Sequence, residues 1–227
     1  MSIHSKLQVL YEDNHLIAIN KTAGSLSQAD STGDDILADA VKAYIKDKYN
    51  KPGEVFLGIV HRLDRPVSGV ILFARTSKAL ERINAAFQER KVAKVYWAIV
   101  TQRPPAEEGE LRHYLTRVTG KNITKAYNKR QPDSQEAVLQ YTLLKSIGQQ
   151  HLLEVRPLTG RQHQIRVQLA KIDCPIKGDL KYGASEAAPD KSIYLHARSI
   201  TLPHPTLRKN ISITAPTPKD QIWALFK

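Results

Sequence analysis

Cysteine is almost absent from this sequence, which has one, Cys174, among 227 residues. A single cysteine excludes an intramolecular disulfide framework and any multi-cysteine zinc or iron–sulfur site, and it fits a reducing compartment. No apolar run approaches the roughly 20 residues that a membrane-spanning helix needs. The first six residues lack the apolar stretch of a secretory signal. The sequence therefore predicts a soluble, cytoplasmic protein with no membrane partner.

Negative charge is in short supply, because 22 Asp and Glu residues stand against 34 Lys and Arg residues, a net charge of +12. That surplus indicates an anionic partner, and nucleic acid is the first candidate. The segment 112–130 has six basic residues and no acidic one, with Tyr114 and Tyr127 between them. Cations that bind phosphates and rings that stack on bases are what an RNA-facing segment requires. The alternative is a solvated edge segment.

Hydrophobic patterning divides the chain into short strands and a few helices. Its length suits one sizeable domain with two lobes. Apolar runs predict strands at 7–11, 15–20, 55–60, 69–75, 92–100, 137–144, 151–156, 193–196 and 211–215. Asp34 or Asp35 is predicted to cap a helix that runs to about 49, and Thr159 to cap a helix over 161–172. Further helices are predicted from Ser77 and over 218–226, with a surface loop at 104–109. Strands outnumber helices without regular alternation, which favours an α+β fold with a mixed, largely antiparallel sheet.

The densest polar cluster lies at 61–69, between two apolar strands. Asp64 is flanked by Arg62 and Arg65, and nearby positive charge favours the ionised carboxylate. Pro66 and Gly69 make the connection rigid and allow a sharp turn. An ionised aspartate at a strand end can act as a nucleophile or a base. The alternative is an aspartate that caps a turn and pairs with arginine.

A second polar cluster lies at 159–166. His163 and Arg166 are three residues apart, so in a helix they share a face. Arg161 falls in the first turn of the predicted helix, where the helix dipole disfavours a cation, and this placement suggests an anionic partner. The alternative is a basic amphipathic helix on the surface.

Together these segments resemble the pseudouridine synthases of the RluA family over nearly the whole chain. The matching segments, in the expected order, are 11–21, 61–69, Lys94-Val95-Tyr96, 159–166, 175–179, 182–183, 195–197 and 204–205. Two departures stand out: Thr22-Ala23 replaces the usual Pro-x after Lys21, and Val67 replaces the usual Thr before Ser68-Gly69. Neither change touches a residue that the chemistry requires.

The resemblance implies an activity and a set of site residues. Asp64 would be the catalytic carboxylate, Arg166 its ionic partner, and Tyr96 the ring that stacks on uracil. Arg62 would fill the space that an extruded uridine vacates. The remaining candidates for RNA or site contacts are His61, Lys21, Arg161, His163, Gln164 and Leu195. For His163 and Gln164 the alternative is support of the helix.

The resemblance also implies the organisation of the protein. It predicts one catalytic domain over 1–227, with two lobes that share one sheet, flanking helices, a central active-site cleft and no separate N-terminal RNA-binding module. The partner would be ribosomal or transfer RNA, with no cofactor, no metal and no obligate protein partner, and the protein would be a monomer. The rival interpretations are a non-catalytic RNA-binding protein and an enzyme of another class, a nuclease or a glycosidase.

Overall fold

The architecture comes from a computed structural model that describes residues 7–25 and 37–226. Over these residues the elements in chain order are β1 (Val9–Glu12), β2 (Leu16–Lys21), α1 (Leu37–Lys48), β3 (Gly58–Ile59), β4 (Ser68–Ala74), α2 (Ser77–Gln88), β5 (Ala93–Val100), β6 (Glu108–Arg117), β7 (Thr124–Tyr127), β8 (Gln135–Ile147), β9 (Gln150–Pro157), α3 (Gln164–Lys171), a 3-10 turn (Leu180–Tyr182), β10 (Leu195–Pro203), β11 (Asn210–Thr214) and α4 (Gln221–Ala224). The chain divides into two compact units, the first with residues up to 93 and 197–218, the second with 94–196 and the residues from 219.

The first unit is built on a sheet whose central strands are apolar along their whole length. Its strand order is β1, β2, β4, β10 and β11, with β3 beside the end of β4. Every residue of β4 is buried, as expected for a strand covered on both faces. On one face the strands pack against Ile83 of α2, together with Leu16, Leu72 and Ile200. Helix α2 begins after Thr76, whose side chain accepts a hydrogen bond from the amide of Ala79.

The second unit has a sheet with the order β5, β9, β8, β6 and β7, in which each neighbouring pair is antiparallel. Helix α3 packs on β6 and β7, and its Val167 joins Leu115 and Ala137 in a buried cluster. Helix α4 contributes Trp223, which contacts the ring of His196. This sheet and helix α3 position the candidate site residues of the second unit.

The fold class predicted from sequence is confirmed, because the strand pairing is largely antiparallel and helices pack on the sheets. Three predicted elements are corrected. The strand predicted at 55–60 is only Gly58–Ile59, the helix predicted from Arg161 begins at Gln164, and the loop predicted at 104–109 runs into β6, which starts at Glu108. The cap predicted at Asp34 or Asp35 lies outside the described residues. Among the residues described, no helix is both long and apolar enough to cross a membrane.

A half-buried carboxylate, that of Asp13, fixes the turn between β1 and β2. Asp13 accepts hydrogen bonds from the amides of His15 and Leu16, from the Tyr11 hydroxyl and from Nε2 of His204, at 2.6–2.7 Å. Burial opposes ionisation of Asp13, but these hydrogen bonds outweigh it and lower its pKa from 3.8 to about 2. The charged carboxylate therefore ties the turn to the segment after β10.

We expect Asp13→Asn to lower the free energy of unfolding by about 1–3 kcal/mol at pH 7, because it removes charge from four hydrogen bonds. The folded pKa lies below the ordinary value, so the stabilisation by Asp13 is complete above about pH 4 and is lost as the pH falls towards 2. Urea denaturation of the wild-type and Asp13→Asn proteins between pH 2 and 7 measures the difference in unfolding free energy. Asp39→Asn, at an exposed ion pair with Lys42, is the control and should cost under about 0.5 kcal/mol. Equal losses of unfolding free energy in Asp13→Asn and Asp39→Asn would contradict the proposed role of Asp13 in holding the turn.

Candidate active site

In the first unit Asp64 lies on the loop between β3 and β4. Its backbone carbonyl accepts a hydrogen bond from the amide of Val67 at 3.0 Å, which closes a turn. The next residue, Arg65, is tied to Gly24 in both directions: its carbonyl accepts from the Gly24 amide at 2.8 Å and its Nε donates to the Gly24 carbonyl at 3.1 Å. Asp64 is half-buried, and Arg62 is exposed two residues before it. The loop therefore has a defined backbone.

A buried lysine stabilises the same loop from inside the protein. Lys21 is 1% exposed, and its Nζ donates to the carbonyls of Thr22 at 3.1 Å, Arg65 at 3.1 Å and Val67 at 2.7 Å. Burial lowers the pKa of Lys21 to about 7, the Asp64 carboxylate opposes that shift, and Arg65 adds to it. An ammonium without exposed surface has no face for an RNA phosphate. Because Lys21 is buried and its Nζ binds three carbonyls of the loop, its position does not support the predicted contact with RNA.

Two further residues fix the start of β4. Gly69 has a φ of +113°, a conformation that favours glycine, and a Cβ there would overlap the main chain of Ala197. His61 accepts a hydrogen bond from the amide of Leu72 through Nε2 at 3.1 Å, and its ring lies 5.9 Å from that of Phe87. His61 therefore has a structural contact inside the first unit, and its predicted contact with RNA stays a prediction.

In the second unit Arg166 lies on α3 and is 4% exposed. Its Nε and Nη2 donate to the two carboxylate oxygens of Asp179 at 2.7 and 2.8 Å. The centre of the guanidinium lies 5.1 Å from the centroid of the Tyr182 ring. The Tyr182 hydroxyl accepts from the amide of Thr124 at 2.9 Å and shares a hydrogen bond with Nδ1 of His163 at 2.7 Å. Arg166 is thus held by a carboxylate and a ring, each fixed in turn.

The segment before α3 differs from the helix predicted there. His163 is the residue before the helix and has a φ of +53°, so it does not share a helical face with Arg166. Arg161 lies ahead of the helix, and its Nε donates to the carbonyl of Glu136 at 3.1 Å. The sequence pattern predicts Arg161 in the first turn of the helix, where the helix dipole suggests an anionic partner. Because Arg161 precedes α3, that inference is wrong.

The contacts of Gln164 distinguish between the two roles that the sequence left open for it, contact with RNA and support of the helix. Its Oε1 accepts from the Thr159 hydroxyl at 2.8 Å and the Arg161 amide at 3.0 Å, and its Nε2 donates to the Val138 carbonyl at 3.0 Å. The side chain is 4% exposed. These contacts favour support of the helix start over contact with RNA, and the contacts of His163 favour the same role.

Tyr96 and Leu195 are the remaining predicted site residues of the second unit. Tyr96 lies on β5, opposite Val155 of β9, and is half-buried. Leu195 is buried at the start of β10. Burial also lowers the pKa of Lys94, two residues before Tyr96. Asp64 belongs to the first compact unit and Tyr96 to the second.

The basic segment 112–130 forms most of the hairpin of β6 and β7. Arg112 forms ion pairs with Glu110 at 2.9 Å and Glu136 at 2.8 Å, so acidic residues outside the segment compensate part of its charge. Tyr114 of β6 lies directly opposite Tyr127 of β7, and opposite residues of an antiparallel pair share a face. The two rings therefore lie on one face of the sheet, as a stacking surface requires.

Comparison with known proteins assigns the family. The family model for RNA pseudouridylate synthases matches residues 15–171. The ribosomal large subunit pseudouridine synthase C of Rickettsia felis is 36% identical over 214 residues, which is 92% of this chain and 67% of that protein. The human RNA pseudouridylate synthase domain containing 4 superposes with a TM-score of 0.77 at 27% identity, covering 93% of this chain and 89% of that one. Human RNA pseudouridylate synthase domain containing 1 shares the fold, with a TM-score of 0.76 at 22% identity, 95% of this chain and 85% of that one.

The chain therefore belongs to the RNA pseudouridylate synthase family and is an isomerase. The resemblance to the RluA family is confirmed, as is the predicted enzyme class. Two residues close to Arg166 had no assigned role at the level of sequence, Asp179 and Tyr182. The sequence did contain a signal for both residues, because they lie in the segments 175–179 and 182–183, which resemble the family. Spacing alone does not show that they contact Arg166.

The loop chemistry predicts how Lys21 titrates. Removing the negative charge with Asp64→Asn should lower the pKa of Lys21 below about 7, and removing the positive charge with Arg65→Gln should raise it, because the two charges act in opposite directions. The Cε resonance of Lys21 in lysine-labelled protein, assigned by Lys21→Arg, gives the midpoint by NMR titration. A midpoint near 10.5 in the unsubstituted protein, or shifts of the same sign in both variants, would contradict this description of the loop.

Proposed function

We propose that this protein converts uridine to pseudouridine in large-subunit ribosomal RNA, with Asp64 as the catalytic carboxylate. The observation that carries the choice of RNA is the match over 92% of the chain to a relative named for the ribosomal large subunit. Transfer RNA is the alternative substrate. The net charge of +12 suits either polyanion, so charge supports RNA binding without choosing between them.

The reaction sets clear demands on the site. The N1–C1′ bond breaks, the base turns, C5 bonds to C1′, C5 loses its proton, and N1 gains one. Nothing is oxidised and no group is lost from the nucleotide, so the demand is for groups that form or accept bonds and move protons. Asp64 supplies a carboxylate that either attacks the nucleotide or removes the C2′ proton to give a glycal. Both routes need the carboxylate at a fixed place, which favours a residue on a loop with a defined backbone.

The resemblance to the RluA family assigns the supporting residues, and the same demands describe what each would do. Arg166 would hold the Asp64 carboxylate charged and aimed, since a guanidinium matches the geometry of a carboxylate. Tyr96 would stack on uracil and take part in removing the C5 proton. Extruding the uridine from structured RNA costs about a few kcal/mol. Arg62 is exposed beside Asp64, which suits a side chain that fills the vacated space in the RNA.

We expect Asp64→Asn to abolish pseudouridine formation while the protein stays folded. The amide has a similar shape but is neither a nucleophile nor a base, so the rate should fall at least about 10²-fold. Tritium release from RNA labelled at C5 of uridine measures it, with circular dichroism as the folding check. Asp47→Asn makes the same change of charge at an exposed position of α1 and should leave the rate intact. Undiminished release by folded Asp64→Asn protein would refute the assignment.

The RNA itself is tested in cells that lack this protein. Carbodiimide mapping should show at least one pseudouridine missing from large-subunit ribosomal RNA, restored by the wild-type gene and not by the Asp64→Asn gene. Pseudouridines missing only from transfer RNA would select the alternative substrate. A complete set of pseudouridines in both RNAs would favour the non-catalytic RNA-binding interpretation.

A further inference from the structure

Arg166 and Asp179 form a bidentate ion pair in the interior of the second unit. The two hydrogen bonds measure 2.7 and 2.8 Å, and the side chains are 5% and 1% exposed. Helix α3 supplies the arginine, and the segment before the 3-10 turn supplies the aspartate. Two parallel hydrogen bonds fix both the position and the plane of the guanidinium, which a single bond does not.

The ion pair determines which edge of the Arg166 guanidinium is directed towards its other partners. Asp179 binds the edge made by Nε and Nη2. A guanidinium has five N–H donors in a rigid fork, so the edge that contains Nη1 is directed away from Asp179. An arginine held in this way presents that second edge in one orientation, which is what the alignment of a catalytic carboxylate requires.

Tyr182 restrains the same guanidinium from its face. The ring lies 5.1 Å from the centre of the guanidinium, a cation–π distance. Its hydroxyl is held by the amide of Thr124 on β7 and by His163 just before α3. The ring of His163 also meets the ring of Tyr182 edge to face, with centroids 5.6 Å apart. The tyrosine ring therefore has two hydrogen-bonded supports of its own.

A buried ion pair of this kind contributes little net stability to the fold. Desolvation of two charges offsets much of their attraction, and well-packed apolar residues of similar volume are often as stable. Orientation of the guanidinium is a purpose that apolar replacements do not serve. The burial of both partners therefore favours a role in the reaction over a role in folding.

We propose that Asp179 is a positioning residue for the isomerase reaction, acting through Arg166, and that Tyr182 is its second support. This inference rests on the proposed role of Arg166. Asp179 touches neither substrate nor reacting atoms in this scheme. It keeps the guanidinium in the orientation from which Arg166 acts, so its loss should slow the chemical step and leave the binding of RNA largely intact.

A double-mutant cycle tests the inference. In folded protein, Asp179→Asn should lower kcat about 10²-fold, the loss expected when a catalytic group is misplaced by about 1 Å, with little change in KM. Arg166→Met should lower kcat at least as much. Adding Asp179→Asn to Arg166→Met should produce no further loss, because Asp179 then has no arginine to position. Losses that multiply in the double variant would overturn the proposal.

A pair of substitutions at Tyr182 keeps the proposal testable if Asp179→Asn does not fold. Tyr182→Phe keeps the ring over Arg166 and removes the hydroxyl, whereas Tyr182→Leu removes the ring. We expect kcat to fall in the order wild type, Phe, Leu, with KM nearly constant. A leucine variant with the kcat of wild type, or a loss confined to KM, would contradict the inference.

The outcomes separate this inference from the proposed function. If folded Arg166→Met keeps the kcat of wild type, the proposed role of Arg166 fails and the positioning role fails with it. If Arg166→Met is inactive while folded Asp179→Asn keeps full kcat, the proposed function stands and the positioning role of Asp179 is refuted. Thermal unfolding of each variant shows whether a lost rate reflects lost structure.

Discussion

A charge buried in a protein interior has to be matched by polar groups nearby, and this constraint shapes both units. Lys21 in the first unit and Arg166 in the second are at least 96% buried. An uncompensated ion in either place would cost several kcal/mol or more. The first unit offsets part of the cost with three backbone carbonyls, and the pKa of Lys21 is still lowered to about 7. The second unit offsets it with the carboxylate of Asp179. In each unit the compensation fixes the backbone or side chain of a candidate catalytic residue.

The two solutions place different limits on the sequence. Lys21 binds main-chain oxygens, among them those of Thr22 and Val67, which are the two places where the chain departs from the pattern of the RluA family. A backbone carbonyl is present whatever the side chain, so these departures leave the lysine contacts intact. Asp179 matches Arg166 with its side chain, and no residue without a carboxylate could supply the same pair of hydrogen bonds to a charged group.

Local patterns in the sequence predicted the hairpin of β1 and β2, helix α2 and the loop of Asp64, because apolar runs, turn residues and a helix start are short-range signals. The start of α3 was predicted three residues too early, because Thr159 has the residue type of a helix cap. Its hydroxyl is instead hydrogen bonded to Gln164 and to the backbone of Val138 on β8. The pairing of Arg166 with Asp179 joins residues thirteen apart across a turn, and no local period reports it.

Charge counted along the sequence differs from charge arranged in space, and the segment 112–130 shows why. Leu115 of β6 packs with Val167 of α3, and successive residues of a strand point to opposite faces. Tyr114 and its partner Tyr127 therefore lie on the face away from α3, which carries Arg166. Any RNA that stacks on these two rings contacts the sheet on the face opposite the helix of Arg166. The segment thus has one face that packs against α3 and another that carries the two tyrosine rings, a division that its count of charges does not show.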